Sequence, residues 1–368
     1  MPHKSGISTL KLFLFKRISM KRLLCSLIFL AVLCANSSAQ EIRISEAPPV
    51  ETQNLVIGLV RGVGSKKNSA FNLMQEGGVF LARTLYGVPF LEETPESPAT
   101  CAAAMERVIA RGANLIIAGG GFRMIDAVDD VARLHDDVRF VLLDCSAKTY
   151  LHNVSSVTFR QNEASYLAGA VAAWGTQSGK VGVLGALDAP VINDFILGFE
   201  AGAKKIRHDI QLDIRFIGTQ YPEIIPFIAI PEAHAMADDM YADGCDVIFA
   251  VASAANAGVF QSAKSHNRFV IGVDSDQDFV APGLVLTSVM KRLDIAILHT
   301  IASARDGTLS NVDISLGLKE NGVSITPMTY TWPLFSELEL RQLKMFALKI
   351  KQGVINVPSA VTAATVAP

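Results

Sequence analysis

Apolar residues along this chain come in short, β-branched runs separated by helix-length segments. The runs fall at 55–60, 114–118, 138–143, 181–184, 246–251, 269–273 and 284–287. Each is almost continuously hydrophobic, as a strand covered on both faces must be, and their alternation with helical stretches predicts an α/β fold built on parallel sheets. The two halves repeat a succession of strand, helix, strand, helix and strand with little residue-level identity, so two doubly wound lobes are expected. In such lobes, ligand groups collect beyond the carboxyl ends of the strands, facing the gap between the lobes.

The N-terminus follows a different pattern. Lys21 and Arg22 precede an apolar run over 23–35, and Ser37, Ser38 and Ala39 follow it, the layout of a secretory signal peptide cleaved after Ala39. The run is too short to span a bilayer. Leu33, directly before Cys34, is bulkier than the residue a lipid-attachment site takes, so export to the periplasm is expected in preference to lipid anchoring. Residues 40–53 read as a polar leader and 358–368 as a flexible tail. The chain has 368 residues, half of them hydrophobic, which suffices for a large core and two domains. The expected division assigns 54–158 and 276–310 to one lobe, and 159–275 and 311–357 to the other.

Charge and cysteine usage narrow the function. Loss of residues 1–39 removes six of the 33 Lys and Arg and none of the 35 Asp and Glu, leaving a net charge of −8, which argues against a nucleic-acid partner. Cys101, Cys145 and Cys245 lie far apart without C-x-x-C spacing; they indicate neither a zinc site nor a disulfide framework, although two of them could pair. The seven histidines form no H-x-x-x-H or H-x-H pair. No metal and no cofactor are expected.

The densest candidate chemistry lies in 269–294, where one run ends in Asp274, Asp276 and Asp278 and the next in Ser288 and Lys291. Ser288 and Lys291 fit the S-x-x-K pattern of serine acyl-enzymes, but the S-D-N and K-T-G elements those enzymes need do not follow. Two other readings stand beside it: Ser288 as a helix N-cap with Lys291 in the first turn, or a set of groups lining a cleft. The Gly119-Gly120-Gly121 turn could cradle a ligand or only join a strand to a helix; it is not G-x-G-x-x-G, so a nicotinamide cofactor is not indicated. Arg160, Gln161, Asn162 and Glu163 introduce a small-residue helix near mid-chain, where a crossing between lobes is expected.

In order along the chain, the motifs NSAFN (68–72), FRQNEASYLAG (159–169), GFEAGA (198–203), GCDVIF (244–249), GVDSDQ (272–277), TSVMK (287–291) and GVINVP (353–358) resemble the basic membrane protein family. This is the purine nucleoside receptor type of ABC-transporter substrate-binding protein. The resemblance implies a type I periplasmic-binding-protein fold, with two Rossmann-like lobes joined by three crossing strands and closing around a nucleoside. It implies Asp274 and Lys291 on the ribose hydroxyls, to which a carboxylate accepts and an ammonium donates. It further implies Phe71 stacked on the base, Asn72 beside it, and roles for Gly121, Asp144 and Glu163.

Two positions depart from the family pattern. Asn68 stands where the family carries an aspartate, and its amide offers donors as well as an acceptor, which shifts the expected preference toward adenosine or pyrimidine nucleosides. The family's G-S-F-x-D stretch reads GTQYP (218–222) and is followed by an insertion at 224–231, so Tyr221 is expected to replace the opposing aromatic. The expected activity is binding without catalysis by a monomer that hands a nucleoside to an ABC permease. A periplasmic sensor of the same fold and an exported nucleoside hydrolase are the alternatives.

Overall fold

The computed structural model describes residues 55–63, 69–309 and 313–361; the stretches expected to be a signal peptide and a leader, Asn68 and most of the expected C-terminal tail lie outside these residues. The first lobe is built from β1 (Ile57–Arg61), α1 (Ala70–Tyr86), β2 (Phe90–Glu93), α2 (Cys101–Ala110), β3 (Leu115–Gly119), α3 (Ile125–Ala132), β4 (Arg139–Leu143) and β5 (Val154–Phe159). The second contains α4 (Gln161–Gly175), β6 (Lys180–Gly185), α5 (Pro190–Ile206), β7 (Gln211–Phe216), α6 (Ile230–Ala242), β8 (Val247–Val251), α7 (Asn256–His266), β9 (Phe269–Asp274) and β10 (Val285–Lys291). The chain then returns to the first lobe as α8 (Leu293–Arg305) and β11 (Ile314–Leu316), and to the second as β12 (Val323–Ile325) and α9 (Glu337–Lys351).

The strand orders, β2-β1-β3-β4-β5-β11 and β7-β6-β8-β9-β10-β12, are one winding used twice. Neighbouring strands are parallel except β12, which runs antiparallel to β10. Central strands β1, β3 and β8 are buried along their whole length, which is why they stand out as hydrophobic runs. Edge strands β2 and β7 are only partly covered and carry charged residues, and β5 has two serines; none of the three makes such a run.

Three crossings join the lobes, at Arg160, at Arg292 and at 317–322. They brace one another: the Arg160 N–H donates to the Leu316 carbonyl and the Arg292 N–H to the Gly322 carbonyl, both at 2.9 Å. The expected boundaries need correction here. Residues 285–291 belong to the second sheet because β10 pairs with β9, and 314–316 belong to the first because β11 pairs with β5. Hydrophobic runs carry no information about which of two sheets a strand joins; only the pairing does. The first residues of the expected tail are also held in place. Ser359 Oγ and the Ala360 N–H donate to the Asp194 carboxylate at 2.5 and 3.0 Å, and Asn162 Nδ2 donates to the carbonyls of Val357 and Pro358.

Helices α4 and α5 approach until their backbones touch. A methyl group on Gly202 would run into the Tyr166 carbonyl, and one on Gly169 into the Phe199 carbonyl. In α1, by contrast, a methyl on Gly77 would meet only Asp294 Cβ, at 3.7 Å. Gly202→Ala should therefore destabilise the protein by about 1–3 kcal/mol despite its better helix propensity, because overpacking outweighs that gain. Gly77→Ala should stabilise it by about 0.5–1 kcal/mol. Urea unfolding midpoints of the two variants check both signs.

Candidate ligand-binding site

The repeated winding brings equivalent strand ends to one cleft. Asp144 directly follows β4 and Asp274 ends β9, the corresponding strand of the other sheet, and both adopt left-handed backbone conformations, φ 68° and 72°. Such angles are uncommon outside glycine but are reached more readily by Asp than by most residues. Gly121 and Ser253, each two residues beyond β3 and β8, form a second such pair at φ 63° and 53°.

Lys291 ends β10, and its Nζ crosses the gap to donate to both Asp144 oxygens, at 2.7 and 2.9 Å. The two side chains are 2% and 10% exposed. The ammonium also lies 4.8 Å from the centroid of the Phe195 ring and 5.7 Å from that of Phe159, within cation–π range.

Asp274 is the odd carboxylate. It is 6% exposed, yet no described residue donates a hydrogen bond to its side chain. Burial pushes its carboxyl up to about 6; nearby Lys291 opposes the shift and Asp144 adds to it. Burial raises Asp144 as well, against the pull of its bonded lysine. The one ammonium between these carboxylates bonds Asp144, which leaves Asp274 lining the cleft with no donor among the described residues.

The cleft encloses about 780 Å³, part of it open to solvent. Besides the Asp144, Asp274 and Lys291 group it is lined by four rings, Phe71 and Phe122 from the first lobe and Phe195 and Phe227 from the second. Phe122 and Phe227 face each other across the gap with centroids 6.5 Å apart, and the Arg123 guanidinium lies 5.4 Å above the Phe227 ring. Charged groups and flat apolar faces therefore share one cavity.

Residues 59–360 match the family described as ABC transporter substrate-binding protein PnrA-like. The chain belongs to this family. Among its relatives, basic membrane protein D of Borreliella burgdorferi is 30% identical over 254 residues, 67% of this chain and 72% of that protein. The ABC transporter nucleoside-binding protein BmpA of Lactococcus lactis is 31% identical over 57% of this chain and 63% of its own length. A solute-binding protein of an ABC transporter system from Aeropyrum pernix shares the fold at TM-score 0.74 and 22% identity, covering 83% of this chain and 93% of its own.

Of the residues singled out from the sequence of this family member, Phe71, Gly121, Asp144, Asp274 and Lys291 line the cleft together. Asn72, Glu163 and Tyr221 do not. Asn72 is buried in the first turn of α1, where its N–H donates to the capping Ser69 Oγ. Glu163 sits at the crossing, bonded to the Arg160 guanidinium at 2.6 Å and to the Leu318 N–H at 2.7 Å. Tyr221 packs on the second lobe's outer core, and the ring that reaches the cleft is Phe227, from the 224–231 insertion.

Ser288 and Lys291 lie on a strand, not at a helix start, and three residues apart on a strand means opposite faces. Ser288 Oγ donates to Asp278, whose same oxygen also accepts from Thr326, so the carboxylate cluster divides between the cleft and the core. Cys101, Cys145 and Cys245 are all free thiols. Sequence reasoning missed Phe122, Arg123, Phe195 and Ser253; the first two directly follow the glycine turn, which was the available signal.

A carboxyl whose folded value is raised binds its proton more tightly in the folded protein than in the unfolded chain. Stability should then fall as pH rises from about 4 through 6, by on the order of 2–3 kcal/mol from Asp274. Asp274→Asn should accordingly be more stable than the wild type above pH 6 and equal to it near pH 4. Thermal melts of both proteins across that range measure the difference.

Proposed function

We propose that this protein is an exported, periplasmic, non-catalytic receptor that captures a nucleoside between its lobes as a monomer and delivers it to an ABC permease. The observation that carries the reading is Asp274, a buried carboxylate with no donor among the described residues, in one cleft with a paired lysine and four aromatic rings. Ribose supplies vicinal hydroxyls that donate to such a carboxylate, and a base supplies a flat face for Phe71 and Phe227. The Lactococcus relative's name as a nucleoside-binding protein supports the same ligand class. Binding without bond cleavage is supported by the separation of Ser288 from Lys291 on opposite faces of β10.

Ligand recovered after incubation should be unchanged. Chromatography that found more than one equivalent of free base or altered sugar per protein would overturn the receptor reading in favour of a hydrolase. Asp274→Ala should weaken ribonucleosides by about 1.5–3 kcal/mol, the range for hydrogen bonds to a charged group. Calorimetry with a 2′,3′-dideoxynucleoside, which lacks the donors, should find that ligand indifferent to the substitution; equal losses for both would remove the ribose from Asp274.

The opposing aromatic can be tested separately. Phe227→Ala should cost about 1–3 kcal/mol for any base-bearing ligand, as loss of stacking does. Tyr221→Ala should cost little. The reverse result in the same titrations would return the stacking role to Tyr221.

A further inference from the structure

Among the described residues lining the cleft, the cations are Lys291 and Arg123. Lys291 is satisfied by Asp144. Arg123 has no hydrogen bond or ion pair with any described residue, although it is half-buried; its guanidinium lies 5.4 Å from the centroid of the Phe227 ring. It also stands apart from the acidic group. The shifts of Asp144 and Asp274 come from burial, from Lys291 and, for Asp274, from Asp144, with none from Arg123. Burial lowers the Arg123 guanidinium from its usual value, opposed by Cys101 and by no carboxylate among the described residues. A half-buried guanidinium with no acceptor among the described residues gains from a ligand that supplies acceptors there.

A guanidinium is a rigid fork of donors with no acceptor, so its complement is two acceptors side by side in one plane. A 6-oxopurine offers that pair in N7 and O6. Adenine places the N6 amino donor beside N7, and one arm of the fork then meets a donor. Lying against Phe227, the guanidinium is at the aromatic end of the cleft, where the rim of a stacked base would be.

We propose that Arg123 reads the edge of the bound base and selects 6-oxopurine ribonucleosides over adenosine. The inference rests on the nucleoside reading above and reverses the ranking expected from Asn68 alone.

Calorimetric titration with inosine, adenosine and 7-deazainosine tests it on the protein and on Arg123→Lys and Arg123→Gln, with melting curves to establish that the variants fold. Wild type should bind inosine about 10- to 100-fold more tightly than adenosine, the discrimination expected of a good bidentate pair. 7-Deazainosine, lacking one acceptor, should lose about tenfold or more on wild type, a comparison that needs no variant. Both variants should lose inosine affinity while holding adenosine within about threefold; Arg123→Lys keeps the charge over Phe227 but not the fork. Equal losses for inosine and adenosine, or a wild type that ranks adenosine first, would overturn the assignment and leave Arg123 as a packing contact for Phe227. If no nucleoside binds wild type, the nucleoside reading fails and this one with it; if nucleosides bind without ranking, only this one fails.

Discussion

The ion pair between Lys291 and Asp144 governs the site, because it joins the carboxyl end of a strand in one sheet to the carboxyl end of a strand in the other. A lysine 2% exposed is tolerable only if it is paired and its remaining surroundings favour a cation. Both conditions need the two lobes together: Asp144 comes from the first, the nearer ring of Phe195 from the second. The pairing consumes the ammonium. Asp274, equivalent to Asp144 in the repeated winding, is left with no donor among the described residues, and burial raises its carboxyl. Unsatisfied groups of this kind lower stability and persist where binding needs them.

Around that pair the chain separates three duties. The FRQNEASYLAG motif serves the crossing and the core more than the cleft. Arg160 ties Glu163, Glu320 and the Ser315 carbonyl across the hinge, Gln161 and Asn162 hold the C-terminal segment and its anchor, and Gly169 lets α4 meet α5. Ser288 and Asp278 lock β10 against its neighbours from the face opposite Lys291. The cleft itself draws on strand ends and on short turns after them, where backbone angles such as those of Asp144, Asp274 and Ser253 aim side chains into the gap.

The sequence by itself determined the layered α/β architecture and much of the polar end of the site. Strands buried on both faces must be hydrophobic throughout, so β1, β3 and β8 are legible as runs, and a carboxylate or lysine closing such a run, as at Asp274 and Lys291, necessarily lies at a strand end. Tertiary structure alone decided the rest. It set β10 in the second sheet and β11 in the first, sent Ser288 and Lys291 to opposite faces, brought Phe227 into the cleft in place of Tyr221, and set Arg123 over that ring without a hydrogen bond among the described residues. Local pattern records the environment of each element through its period of exposure, whereas a cleft between lobes is made of residues far apart in the chain whose meeting depends on how two sheets face each other, which no local pattern encodes.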